Sequence, residues 1–124
     1  MANELELTGI IKYNKSGVKA ELSLSTRVDI TGTRVSENNI FCSNATGGAA
    51  LELGGMALGQ KPYVMIENLS DTAVLTLLLD QETDADVLTI PARTFAGPMK
   101  LESTNFKLKS NVSNSPARII AIEP

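Results

Sequence analysis

Apolar and polar residues alternate with a period of two along much of this chain. From Val18 the apolar positions are Val18, Ala20, Leu22, Leu24, Val28 and Ile30; between them lie Lys19, Glu21, Ser23, Ser25, Arg27, Asp29 and Thr31. Only Thr26 breaks the apolar series, and threonine suits a strand. Successive strand side chains point to opposite faces, so this spacing predicts one face on a core and one in water. A helix would spread the same residues round its whole surface. Leu5, Leu7, Gly9, Ile11 and Tyr13 repeat the pattern, and Asn14-Lys15-Ser16-Gly17 has the composition of a tight turn. Residues 4–13 and 18–31 are therefore expected to form a long amphipathic hairpin.

A third stretch follows Thr31-Gly32-Thr33 and ends near Ile40-Phe41-Cys42. From Ser43 to Gln60 the character changes. Gly47-Gly48, Gly54-Gly55 and Gly59 mark turns and close backbone approach, with a short strand expected at 49–53. Lys61-Pro62 opens a strand over Tyr63–Asn68, and Leu69-Ser70-Asp71 turns the chain. Thr72–Leu79 reads as a strand buried on both sides. Asp80–Asp86 is a polar acidic loop, and Val87–Ile90 a short strand closed by Pro91. Gly97-Pro98 inside Phe95–Leu101 predicts an edge or a bulge. The last strands, Asn105–Ser110 and Ala117–Glu123, flank the turn residues Asn111 to Pro116. Eight or nine strands at short, fairly even spacing predict an all-β fold. The expected form is a single-domain antiparallel β-sandwich over residues 1–124, jelly-roll-like in arrangement.

Size permits this. At 13.2 kDa the chain would expose roughly 6,400 Å² folded against about 19,000 Å² extended, enough burial for one core. The net charge is −3 and the pI about 4.9. Nucleic-acid binding needs a basic face that displaces phosphate counterions. Here the tightest basic grouping, Lys100, Lys107 and Lys109, is interleaved with Glu102, so no nucleic-acid partner is expected. Unbroken apolar runs reach only about four residues, too short for a membrane-spanning helix. The opening Met-Ala-Asn-Glu-Leu-Glu has neither the basic nor the apolar region of a secretory signal.

The candidate chemistry is thin. There is no histidine, and Cys42 is the only cysteine, which predicts a small buried hydrophobe rather than a nucleophile. No zinc set can be assembled from these residues. Asp80, Glu82, Asp84 and Asp86 have alternate spacing that faintly resembles a calcium loop. The sixth position is Ala85 instead of glycine and the twelfth is Pro91 instead of a bidentate glutamate, so a solvated loop is expected. Gly54-Gly55 and Gly59 lack the Lys-Ser/Thr of a phosphate loop. Sugar recognition favours aromatic platforms, and the chain has two Tyr, three Phe and no Trp. Sequons at Asn14, Asn44, Asn68 and Asn111 read as turn chemistry. The residues thus predict no enzyme, with no catalytic, cofactor-binding or metal-binding residues and no cofactor.

Four segments, in order, carry a resemblance. They are Ser16-Gly17-Val18-Lys19-Ala20-Glu21-Leu22-Ser23-Leu24-Ser25 running into Val28-Asp29-Ile30-Thr31-Gly32; Ala49 to Gly55; Tyr63 to Asp71; and Phe95 to Leu101 through Ala117 to Glu123. Together they resemble a group of small all-β proteins encoded among the structural genes of tailed phages. Shared traits are a serine-rich alternating strand, a leucine-acid-leucine-glycine step, an Ile-x-Asn-Leu strand-turn and an apolar last strand ending in an acid. The resemblance implies a virion structural protein made in the bacterial host cytoplasm. It implies a decoration or cement role on the outer capsid surface, a trimer, and the major capsid protein as partner. It carries no site motif. Leu5 and Leu7, apolar strand residues at the start of the chain, are the candidates for pairing with a neighbouring chain or the capsid. Competing readings are a tail- or fibre-associated adaptor, a glycan- or host-surface-binding module, and a β-sandwich hydrolase. Lack of histidine and scarcity of aromatics weigh against the last two. Absence of heptads and repeats weighs against a fibre.

Overall fold

A computed structural model describes residues 5–32, 34–45, 49–50, 61–79, 88–101 and 106–124. The strands in chain order are β1 (Leu5–Lys15), β2 (Val18–Val28), β3 (Val35–Cys42), β4 (Ala49–Ala50), β5 (Tyr63–Asn68), β6 (Leu75–Leu79), β7 (Leu88–Ile90), β8 (Phe95–Lys100), β9 (Phe106–Ser110) and β10 (Ser115–Ile122). All pairing is antiparallel, and no helix occurs among the described residues. The fold is therefore all-β. Ten strands are described where eight or nine are expected, and the short pieces β4 and β7 fall within the short strands expected at 49–53 and Val87–Ile90. The chain divides into two compact units, residues 1–31 and 32–124.

The first unit is the hairpin. β1 and β2 pair without interruption from Leu5↔Val28 to Lys15↔Val18. The turn is only Ser16-Gly17, with φ of 53° and 80°. Positive φ at both central residues is the type I′ turn, whose twist matches that of the flanking strands. Pairing therefore runs on through Asn14 and Lys15, further than the sequence suggests.

The second unit holds two four-stranded sheets, ordered β3-β10-β5-β8 and β4-β9-β6-β7. Alternation sets their faces. In β5, Val64, Ile66 and Asn68 are buried and their neighbours half-buried; in β10, Ser115, Ala117, Ile119 and Ala121 are buried. Val64, Ile66, Ala117, Ile119, Ala121 and Cys42 from one sheet join Leu75, Leu77, Leu108 and Ile90 from the other in a single apolar cluster. β6 is buried on both faces, as its composition predicts: adjacent Leu77 and Leu78 point opposite ways, and each is 1% exposed. β8 is an edge strand, and its pairing with β5 shifts register between Val64 and Ile66. Gly97 sits at this bulge with φ of 98°, and a Cβ there would lie 2.6 Å from the Val64 carbonyl oxygen. Only glycine fits.

Polar side chains tie the loops of this unit. Asn68, 1% exposed, donates to the carbonyls of Ala73 (2.8 Å) and Ile90 (2.9 Å), and its Oδ1 accepts from the Ser70 amide (3.0 Å). At the β9–β10 turn, the Ser110 hydroxyl donates to Ser115 (2.6 Å), which donates to the Val112 carbonyl (2.7 Å). Asn111 exchanges bonds with Val74, through its backbone amide (3.1 Å) and its side-chain oxygen (2.9 Å). Buried polar groups must find such partners, so these residues fix the loops in place.

Candidate interaction surface

Cross-strand register decides what the hairpin presents. The pairs Ile11↔Leu22, Gly9↔Leu24, Tyr13↔Ala20 and Lys15↔Val18 lie on one face; Glu6↔Arg27, Thr8↔Ser25, Ile10↔Ser23 and Lys12↔Glu21 lie on the other. Apart from Thr26, opposite Leu7, the first face is apolar up to Lys15 at the tip. The second is polar apart from Ile10. There Glu6 is 3.3 Å from the Arg27 Nε and accepts from the hydroxyls of Thr8 (3.3 Å) and Ser25 (3.5 Å).

The apolar face is open to solvent along most of its length. Ile11 is 68% exposed, Leu24 63%, Val18 60%, Leu22 52% and Tyr13 49%. The alternation predicts this face on a core, and the structure differs: the side chains are sorted as predicted, yet the sorted face is exposed. Eleven pairs at about 3.4 Å each give a ribbon roughly 37 Å long, longer than a usual strand. Leu5 and Leu7 stand at its other end, opposite Val28 and Thr26; Leu5 is 7% exposed and Leu7 half-buried. The exposed apolar stretch begins beyond them. Ile11, Leu22 and Leu24 thus join Leu5 and Leu7 as candidate contact residues. The signal for them is the same alternation, which sorts the side chains onto two faces and does not say what covers the apolar one.

A second surface is the outer face of the β3-β10-β5-β8 sheet. At its centre Arg118 reaches Glu37 on one side (3.7 Å) and Glu67 on the other (3.3 Å). Phe41 (71% exposed) and Phe95 (60%) stand on the two edge strands, and Lys100 lies 5.9 Å above the Tyr63 ring. These ion pairs are solvent-exposed and contribute little to stability.

The chemical candidates resolve as follows. Cys42 is fully buried at the end of β3, and desolvation raises its thiol pKa to about 11. A thiol that holds its proton is not a nucleophile at neutral pH. Asn68 is enclosed and Asn111 bonded across to Val74, which matches the turn-chemistry reading of those two sequons. The Asp80–Asp86 loop and Gly54, Gly55 and Gly59 lie outside the described residues. Among the described residues no three Asp, Glu or Cys side chains gather as a metal site would require. An open concavity of about 490 Å³ lies at the far end of the hairpin, lined by Lys12, Tyr13, Asn14, Lys19, Ala20 and Glu21. No protein-family model, curated protein or solved structure matches this chain.

Proposed function

We propose that this chain is a non-enzymatic virion structural protein of a tailed phage, which binds the outer capsid surface as a trimer and stabilises it. The observation that carries the reading is the exposed apolar face of the β1–β2 hairpin. A two-stranded ribbon is marginal by itself in water and gains stability when its apolar face is covered. An exposed contiguous apolar face of this kind marks a site of contact with another molecule. The four-segment resemblance to small phage structural proteins supplies the setting, and the enclosed Cys42 agrees with a role carried by surfaces.

The same proposal takes residues 32–124 as a β-sandwich of jelly-roll type. Supporting it, one apolar cluster draws side chains from both four-stranded sheets. A rigid β framework loses little entropy on binding, which suits a protein that holds a shell together through many modest contacts. Leu5, buried, and Leu7, half-buried, border the contact region in this reading.

The test uses capsids of the encoding phage that lack this protein. Adding the purified chain is expected to raise the temperature at which those capsids release DNA. An unchanged release temperature at saturating protein overturns the proposal.

A further inference from the structure

We infer that the apolar face of the β1–β2 hairpin is the self-association surface of this protein, covered by the same face of two further copies. Only the number of copies rests on the reading above.

Charge comes first. Between Leu5 and Val28 every charged residue of the hairpin except Lys15 points to the opposite face, where Glu6 pairs with Arg27 and Lys12 stands across from Glu21. Copies of the apolar face can therefore meet with Lys15, at the tip of the ribbon, as the one charge that must stay in water at the rim. A partner of another kind would have to offer an equally long uncharged strip. A second copy has one by construction.

Shape points the same way. Gly9 lies in mid-strand, yet the pairing around it is regular, so it forms no bulge. A Cβ at Gly9 would meet nothing within 4 Å. The glycine thus relieves no contact inside the chain. In a strand interior such a glycine commonly marks the close approach of another chain. Here it leaves a hollow on the apolar face beside the protruding Leu24 and Ile11, a knob and a hole on one surface.

Stability points the same way. A two-stranded ribbon is marginal in water by itself, and packing against further copies covers its apolar face and supplies the additional strands it lacks.

The experiment is light scattering coupled to size exclusion on the full chain, at several concentrations. The expected mass is three chains. The double variant Ile11→Asp/Leu24→Asp should run at one chain with an unchanged far-UV spectrum. Ile10→Asp, on the polar face, should leave the mass at three. Because a variant could lose its fold, a second measurement keeps Ile11, Leu22 and Leu24 in place. A nitroxide on Ala20→Cys, with Cys42 buried and unreactive, should show spin–spin broadening that disappears on mixing with excess unlabelled chain. A monomeric wild type, or a label without broadening, overturns the inference. So does broadening that survives dilution, or quenching of the label's mobility in a monomer, which would place the chain's own residues over the face. A monomer that still binds capsids would refute the self-association and leave the decoration role standing. A trimer that ignores capsids would do the reverse.

Discussion

Asn68 shows how one residue can hold several segments. Its amide donates to the carbonyls of Ala73, before β6, and Ile90, at the end of β7, and its oxygen caps the turn after β5, all within a site that is 1% exposed. Asn68→Ala would strand those carbonyls without a donor, and we expect a loss of about 3 kcal/mol in urea unfolding. Gly97 depends on backbone geometry. Alanine there must hold a φ of 98° and push its Cβ against the Val64 carbonyl, so Gly97→Ala is expected to cost more than about 1 kcal/mol in the same assay. Cys42 makes a pH prediction. Burial raises its folded pKa to about 11, from 9.0 for an exposed thiol. Below pH 9 the thiol is neutral in both states and stability is unaffected. As pH rises from 9 towards 11, the unfolded thiol ionises and the folded one does not, so stability falls. Substituting Cys42→Ser or Cys42→Ala should remove that part of the alkaline decline in chemical-denaturation midpoints.

Elements were more legible in the sequence than the contacts between them. Lys61-Pro62 marks the start of β5, Gly97-Pro98 predicts an edge or a bulge where the structure has both, and period-two alternation locates β1, β2 and the hairpin. These signals are local: turn chemistry and side-chain alternation act over a few residues. What covers a sorted face is not local. The apolar set Val18, Ala20, Leu22, Leu24 reads identically whether a second layer lies over it or water does. The bonds of Asn68 to Ile90 and of Asn111 to Val74 span 22 and 37 positions, so their sequons spoke only of turns. The hairpin turn has its own test. Ser16 holds a positive φ that asparagine tolerates better, and Asn-Gly is the favoured type I′ pair. Ser16→Asn should stabilise the turn by about 0.5 kcal/mol, seen as a two- to threefold rise in amide-exchange protection along β1 and β2.

For the molecule as a whole, the proposed function lives in contact surfaces. An all-β unit with an enclosed thiol and well-bonded loops is combined with a ribbon whose apolar face meets water. Self-association would cover that ribbon, and the second unit exposes Phe41 and Phe95 as apolar contacts of its own. A tail- or fibre-associated adaptor would use the same architecture with a different partner, so partner choice is the decisive observable. The most direct measurement is co-sedimentation of the purified chain with capsids of the encoding phage that lack it. The decoration role requires saturable binding in whole trimers at a fixed ratio to the major capsid protein. Protein that stays in the supernatant at every concentration, or that pellets with isolated tails instead, would contradict it.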